Sequence, residues 1–162
     1  MSSVHQNRTM ARRSTPRAPA DVLVYLRRAR DHIDRHYAEP VDLDTLAGIA
    51  GVSKYHFLRL FRTTYGRTPA AYLSERRIER AQDLLRTTNL TLTEVCFAVG
   101  FASLGSFSSR FTDVTGETPR DFQKRYAANG APRIPGCYVF MWGLAERRRA
   151  TGHDGSAIQE KP

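Results

Sequence analysis

Residues 53–62 place several cationic, aromatic and apolar side chains on the outward side of one short helix. A helical repeat turns Phe57, Leu60, Phe61 and Thr64 inward. An outward arginine can hold the O6 and N7 atoms of guanine, and apolar groups such as Leu58 and the ring of Tyr55 can touch thymine methyl groups. The pattern predicts a surface that reads base edges, formed by Lys54, Tyr55, Leu58, Arg59 and Arg62.

A second copy of this segment follows about fifty residues later. The stretch "GVSKYHFLRLF" at 51–61 corresponds to "GFASLGSFSSRF" at 100–111, and residues 43–72 and 92–122 are two copies of one unit. The second turn is one residue longer than the first. The outward face of the second copy is chemically poorer, because its candidate base contacts are Ser106, Ser108 and Ser109.

Other hydroxyl and cationic side chains are candidates for DNA phosphate contacts. Such contacts fix the position of a protein on the duplex but carry no sequence information. The predicted phosphate contacts are Ser53, Arg76, Arg77, Ser103, Arg110 and Lys124.

Capping residues and helix breakers indicate which elements position these side chains. Asp21 is a candidate cap for a first helix that ends before Pro40, and Thr68-Pro69 and Thr118-Pro119 are helix starts. The prediction is an all-α fold of about seven helices, in which a long linker helix joins two helix-turn-helix subdomains. The predicted ranges are 43–65 for the first helix-turn-helix, 69–88 for the linker helix and 92–115 for the second helix-turn-helix.

Residues 22–126 resemble the AraC/XylS family of transcription regulators. The resemblance rests on the tandem units and on the run "GFASLGSFSSRFTDVTGETPRDFQKRY", and it covers about two-thirds of the chain. It implies an AraC-type DNA-binding domain over 21–126, two recognition helices in successive major grooves, and activation through RNA polymerase. Only twenty residues precede the domain, so the chain resembles the stand-alone members that have no ligand-binding domain. The resemblance also implies base contacts at Tyr55, Leu58 and Arg59.

The segments outside the domain differ in composition. Residues 1–20 contain four arginines, no acid and two prolines, which predicts a disordered basic arm. The tail at 127–162 contains an apolar segment at 137–145. We expect this segment to dock back on the domain, with a partner or dimer contact as the alternative.

Composition excludes several classes of protein. The net charge of +9 favours a polyanionic partner. The sequence has no signal peptide and no apolar run long enough to span a bilayer, so a cytoplasmic protein without a membrane partner is expected. Catalytic motifs are absent, and Cys96 and Cys137 are too few and too far apart for a zinc site, so no enzyme activity, metal or cofactor is predicted.

The predicted function is a sequence-specific transcription regulator, and more specifically an activator, that binds double-stranded DNA as a monomer. The linker helix should be about 30 Å long, close to the ~34 Å repeat of B-DNA, which suits a bipartite site. The alternative is a protein-interaction adaptor or anti-activator that uses the same helices and the apolar tail.

Overall fold

The computed structural model describes residues 20–130 and 133–138, with side chains from residue 22 onward. A short helical stretch follows at 136–138. The β-type pairing among the described residues is one isolated bridge between Thr88 and Ile134. The predicted all-α fold is confirmed. Its helices are α1 (Ala20–Arg35), α2 (Leu43–Ile49), α3 (Lys54–Tyr65), α4 (Pro69–Thr87), α5 (Leu92–Ala98), α6 (Leu104–Thr115) and α7 (Pro119–Ala128).

The described chain divides into two compact units. The first contains α1 up to His32 together with residues Asp42–Pro69, and the second contains Ile33–Val41 and the chain from Ala70 onward. Each unit contains one helix-turn-helix, α2–α3 in the first and α5–α6 in the second. None of the described helices has the length and apolar character needed to cross a bilayer.

The first unit builds its helix-turn-helix from a capped helix and a glycine turn. Asp42 caps α2, because its carboxylate accepts hydrogen bonds from the backbone N–H and the hydroxyl of Thr45. Gly51 then takes a φ of 65°, which a residue with a Cβ atom rarely adopts. On α3, Phe57 and Phe61 are fully buried with ring centroids 5.5 Å apart. This packing sets which side of α3 faces outward.

One predicted inward position on α3 is wrong. Thr64 is exposed. The aromatic stripe of Phe57 and Phe61 continues instead to half-buried Tyr65, whose ring centroid lies 4.6 Å from that of Phe61. The last turn of α3 is therefore covered by an i, i+4 aromatic contact, which leaves the threonine in solvent.

The second unit repeats this construction with a longer turn. Thr91 and Glu94 form a reciprocal capping box at the start of α5. Gly100 has a φ of 88°, and Ala102 is the additional residue before Ser103 caps α6. The core of this unit centres on aromatic rings, with Phe107, Phe111 and Phe122 in successive edge-to-face contacts.

The first helix ends earlier than predicted. α1 stops at Arg35, and residues 36–39 form a turn in which the Glu39 N–H donates to the His36 carbonyl over 3.0 Å. A Cβ atom on Gly100 would lie 2.6 Å from the Ala38 carbonyl oxygen, so this turn packs closely against the glycine of the second helix-turn-helix. α1 therefore ends several residues before Pro40, at a turn that packs against the second helix-turn-helix.

Part of the C-terminal tail docks on the second unit. The Ile134 N–H donates to the Thr87 carbonyl over 2.8 Å, and the Asn89 N–H donates to the Ile134 carbonyl over 3.2 Å. The Gly136 N–H donates to the Asn89 side chain over 2.7 Å. These bonds satisfy backbone groups just beyond the end of α4. The predicted basic arm was 1–20, and its last residue, Ala20, is the first residue of α1. Residues 1–19 and the rest of the apolar segment at 139–145 lie outside the described residues.

Candidate nucleic-acid interface

The exposed side of α3 carries most of the side chains predicted to read bases. Tyr55 is 86% exposed although it is a large aromatic residue, and Arg59 and Arg62 are also exposed. Leu58 is half-buried, so only part of its side chain reaches solvent. An exposed aromatic ring beside an exposed arginine provides both apolar and hydrogen-bonding chemistry on one helix face.

The start of α3 presents groups suited to phosphate. Ser53 is its N-cap residue, is exposed and makes no side-chain capping hydrogen bond. The first backbone N–H groups of a helix lack partners within the helix, and its N-terminus attracts anions. Ser53 therefore lies at a helix terminus that attracts anions.

Lys54 lies next to Ser53 and is ion-paired within the first unit. Its Nζ atom lies 2.7 Å from Oδ2 of Asp44, and both side chains are at least half exposed. An exposed pair of this kind contributes about 0 to 1 kcal/mol, so Lys54 can exchange its partner at little cost. Sequence reasoning missed Asp44, because its link to Lys54 runs from the first turn of one helix to the first turn of the next.

His56 contacts the main candidate for base reading. The Nη2 atom of Arg59 lies 3.0 Å from Nδ1 of His56, one helical turn earlier. Arginine can only donate, so Nδ1 of His56 is the acceptor in this hydrogen bond. Sequence reasoning missed this pair, although the i, i+3 spacing is a recognised signal for side-chain contact on a helix.

The outward face of α6 is made of short side chains. Ser106 and Ser109 are exposed, and Ser108 is half-buried. The Ser103 hydroxyl accepts from the Ser106 N–H over 3.3 Å and donates to the Ser106 hydroxyl over 3.0 Å. The predicted phosphate contact Ser103 and the predicted base contact Ser106 are therefore hydrogen-bonded to each other.

Arg110 is the only basic residue of α6, and it contacts α4. Its Nε atom donates to the Ser74 hydroxyl over 2.9 Å, and its Nη2 atom lies 3.9 Å from Oε1 of Glu75. The side chain is half-buried. The structure thus gives Arg110 an intramolecular role that its sequence position did not indicate.

Two predicted phosphate contacts on α4 also have intramolecular partners. Arg76 pairs with Glu79 over 2.8 Å and with Asp34 over 3.4 Å, and the hydrogen bond to Glu79 raises the pKa of Arg76. Arg77 donates to the carbonyls of Tyr37 and Glu39 over 2.7 and 3.0 Å, and burial lowers the pKa of its guanidinium. A phosphate role for these two arginines and Arg110 stays a prediction.

One predicted phosphate contact lies on α7. Lys124 is exposed on α7, so its ammonium group is accessible to an anion. Within residues 20–130 and 133–138, no three His, Cys, Asp or Glu side chains are grouped closely enough to hold a metal ion.

Comparison with known proteins agrees with this architecture. Residues 46–125 match the family described as a helix-turn-helix domain. The regulatory protein SoxS of Salmonella typhimurium is 33% identical over 93 residues, which cover 57% of this chain and 87% of SoxS. The bifunctional transcriptional activator/DNA repair enzyme AdaA of Bacillus subtilis is 32% identical over 94 residues, which cover 58% of this chain and 44% of AdaA.

Two solved structures have the same fold. The DNA-binding domain of the global transcriptional factor AdpA, solved with a target DNA, superposes with a TM-score of 0.61 at 31% identity and covers 64% of this chain and 94% of that chain. A transcriptional regulator from Chromobacterium violaceum with an AraC-type DNA-binding domain also has a TM-score of 0.61 at 31% identity. The match covers 67% of this chain and 97% of that chain. With relatives and fold in agreement, the chain belongs to the AraC/XylS family of transcription regulators.

Proposed function

We propose that the protein is a sequence-specific DNA-binding transcription regulator whose main reading element is α3. The observation that carries the proposal is that Tyr55, which is 86% exposed, and Arg59, which is also exposed, both lie on the second helix of a helix-turn-helix. In this motif the second helix enters the major groove. The structure of AdpA with a target DNA supports duplex DNA as the partner.

Each residue on α3 has a distinct task in this proposal. Arg59 donates to O6 and N7 of a guanine, while Tyr55 and the exposed part of Leu58 contact thymine methyl groups. Lys54 and Arg62, the first and last of the predicted base-reading residues on α3, contact base edges or the adjacent DNA backbone. Ser53, at the start of the helix, binds a phosphate.

The second unit contributes more to positioning than to reading. The exposed hydroxyl groups on α6, Ser106 and Ser109, can form hydrogen bonds with any base and so discriminate weakly. Ser103 and Lys124 bind phosphates. Two copies of the reading unit in one chain support a monomer that binds a bipartite site in successive major grooves.

Transcription activation is the regulatory outcome that we propose. The name of AdaA describes a transcriptional activator, and RNA polymerase is the proposed protein partner. A template with the selected site upstream of a weak promoter should give more transcript in a purified system when the protein is added. A fall in transcript would instead make the protein a repressor.

Selection from random duplexes, followed by footprinting, tests the DNA-binding proposal. We expect one non-palindromic, bipartite site whose affinity falls steeply as salt rises. Inserting five base pairs between the half-sites should weaken binding, because it rotates one half-site by about half a turn. A palindromic footprint, or tolerance of the insertion, would contradict the monomer. Absence of saturable duplex binding would favour the protein-interaction adaptor instead.

A further inference from the structure

We infer that His56 is a positioning residue, which holds the guanidinium of Arg59 in the orientation needed to read a base. The inference rests on the proposed function, since it concerns how Arg59 performs that reading. His56 was not among the residues predicted to contact DNA. Its role follows from the geometry of one helical turn.

The contact leaves Arg59 able to bind guanine. Arginine has five N–H donors, and the bond to Nδ1 of His56 uses one of the two on Nη2. The Nη1 and Nε donors and the second Nη2 donor stay available for O6 and N7. The histidine therefore restrains the side chain without using up the groups that would contact the base.

The two partners differ in their surroundings in a way that suits this task. His56 is half-buried, whereas Arg59 is exposed. A partly packed ring has fewer accessible orientations than an exposed flexible side chain, so it can act as the fixed end of the pair. Restraining a long side chain before binding reduces the conformational entropy that is lost when the complex forms.

The second copy of the unit provides an internal comparison. With the offset of fifty that relates the two reading helices, His56 and Arg59 correspond to Ser106 and Ser109. Two serines at these positions provide neither a long donor nor a ring to orient it. The first reading helix thus has a guanine-reading group together with a restraint on it, and α6 has neither.

Two substitutions of similar shape separate the hydrogen bond from packing. Asparagine and leucine both branch at Cγ, but only asparagine has an acceptor near the position of Nδ1. We expect His56→Leu to reduce the preference for guanine at the Arg59 base pair by about 3- to 10-fold, as a restraint on one side chain predicts. His56→Asn should retain that preference within about 2-fold. Leucine is the better helix former, so a purely structural role would give the opposite order.

The measurement is binding of the full chain to duplexes that carry each of the four base pairs at the Arg59 position, with Arg59→Ala studied in parallel. If Arg59→Ala alters no base preference, the proposed reading role of Arg59 fails, and this inference fails with it. If Arg59→Ala relaxes the preference but His56→Leu keeps it, only the positioning role is overturned. Equal loss for His56→Leu and His56→Asn, or a loss that is uniform over all four duplexes, would also overturn it.

Discussion

At the scale of single residues, the ion pair between Lys54 and Asp44 sets the charge at the start of α3. Asp44→Asn should strengthen DNA binding several-fold and steepen its salt dependence by up to about one unit of log–log slope, because it releases Lys54 for a phosphate. Fluorescence anisotropy over a salt series measures both quantities. Asp83→Asn on α4 makes the same change in net charge and is the control. An equal effect from the control would mean that only net charge matters.

Arg77 is expected to stabilise the fold and not to bind DNA. Arg77→Met removes the donors to two backbone carbonyls, so we expect the free energy of unfolding to fall by about 1 to 3 kcal/mol. Urea denaturation measures this change. The slope of affinity against salt should stay the same. An unchanged free energy of unfolding together with a shallower salt slope would support the prediction that Arg77 contacts a phosphate.

Sequence reasoning worked for residues whose neighbours are local. The helical repeat of α3 was enough to predict that Tyr55, Arg59 and Arg62 would be exposed. It did not indicate the intramolecular partners of Arg77 and Arg110, which lie 40 and 36 residues away along the chain. An arginine that faces solvent and an arginine that bonds to other parts of the fold look alike in sequence, because the amphipathic side chain suits both environments.

At the scale of elements, the two turn glycines provide a matched pair of substitutions. Both adopt positive φ, so alanine at either costs about 1 to 2 kcal/mol in backbone strain. A Cβ atom on Gly51 would meet nothing within 4 Å, whereas one on Gly100 would lie 2.6 Å from the Ala38 carbonyl. Gly100→Ala should therefore destabilise the protein more than Gly51→Ala in urea denaturation. Equal losses would show that the turn at 36–39 can move away.

Helix ends were predictable where a local capping signal determines them. Asp42 caps α2, Thr91 caps α5 and Thr118 caps α7, and each side chain accepts a hydrogen bond from the third residue after it. The end of α1 was not predictable. The turn that follows it, at 36–39, packs against Gly100 and Arg77, which is a tertiary contact with no local sequence signal.

At the scale of the whole molecule, the net charge of +9 is unevenly distributed. Residues 1–19 contain Arg8, Arg12, Arg13 and Arg17 and no acid. A chain that begins at Ala20 should lose affinity on all sequences and have a salt slope smaller by up to about 3 to 4, since each phosphate contact contributes about 0.9. The base preference should be unchanged in a competition assay. An unchanged slope would mean that these arginines make no phosphate contacts.

We expect α3 to read the bases of the site and α6 to contribute less. The most direct measurement compares Arg59→Ala with Ser109→Ala, its counterpart on α6, over duplexes with every single base substitution in the selected site. Arg59→Ala should cost about 1 to 3 kcal/mol on the selected site and abolish the preference at one base pair, while Ser109→Ala should cost less and leave the preferences intact. Equal weakening on all duplexes by Arg59→Ala, or a larger effect of Ser109→Ala, would contradict the account.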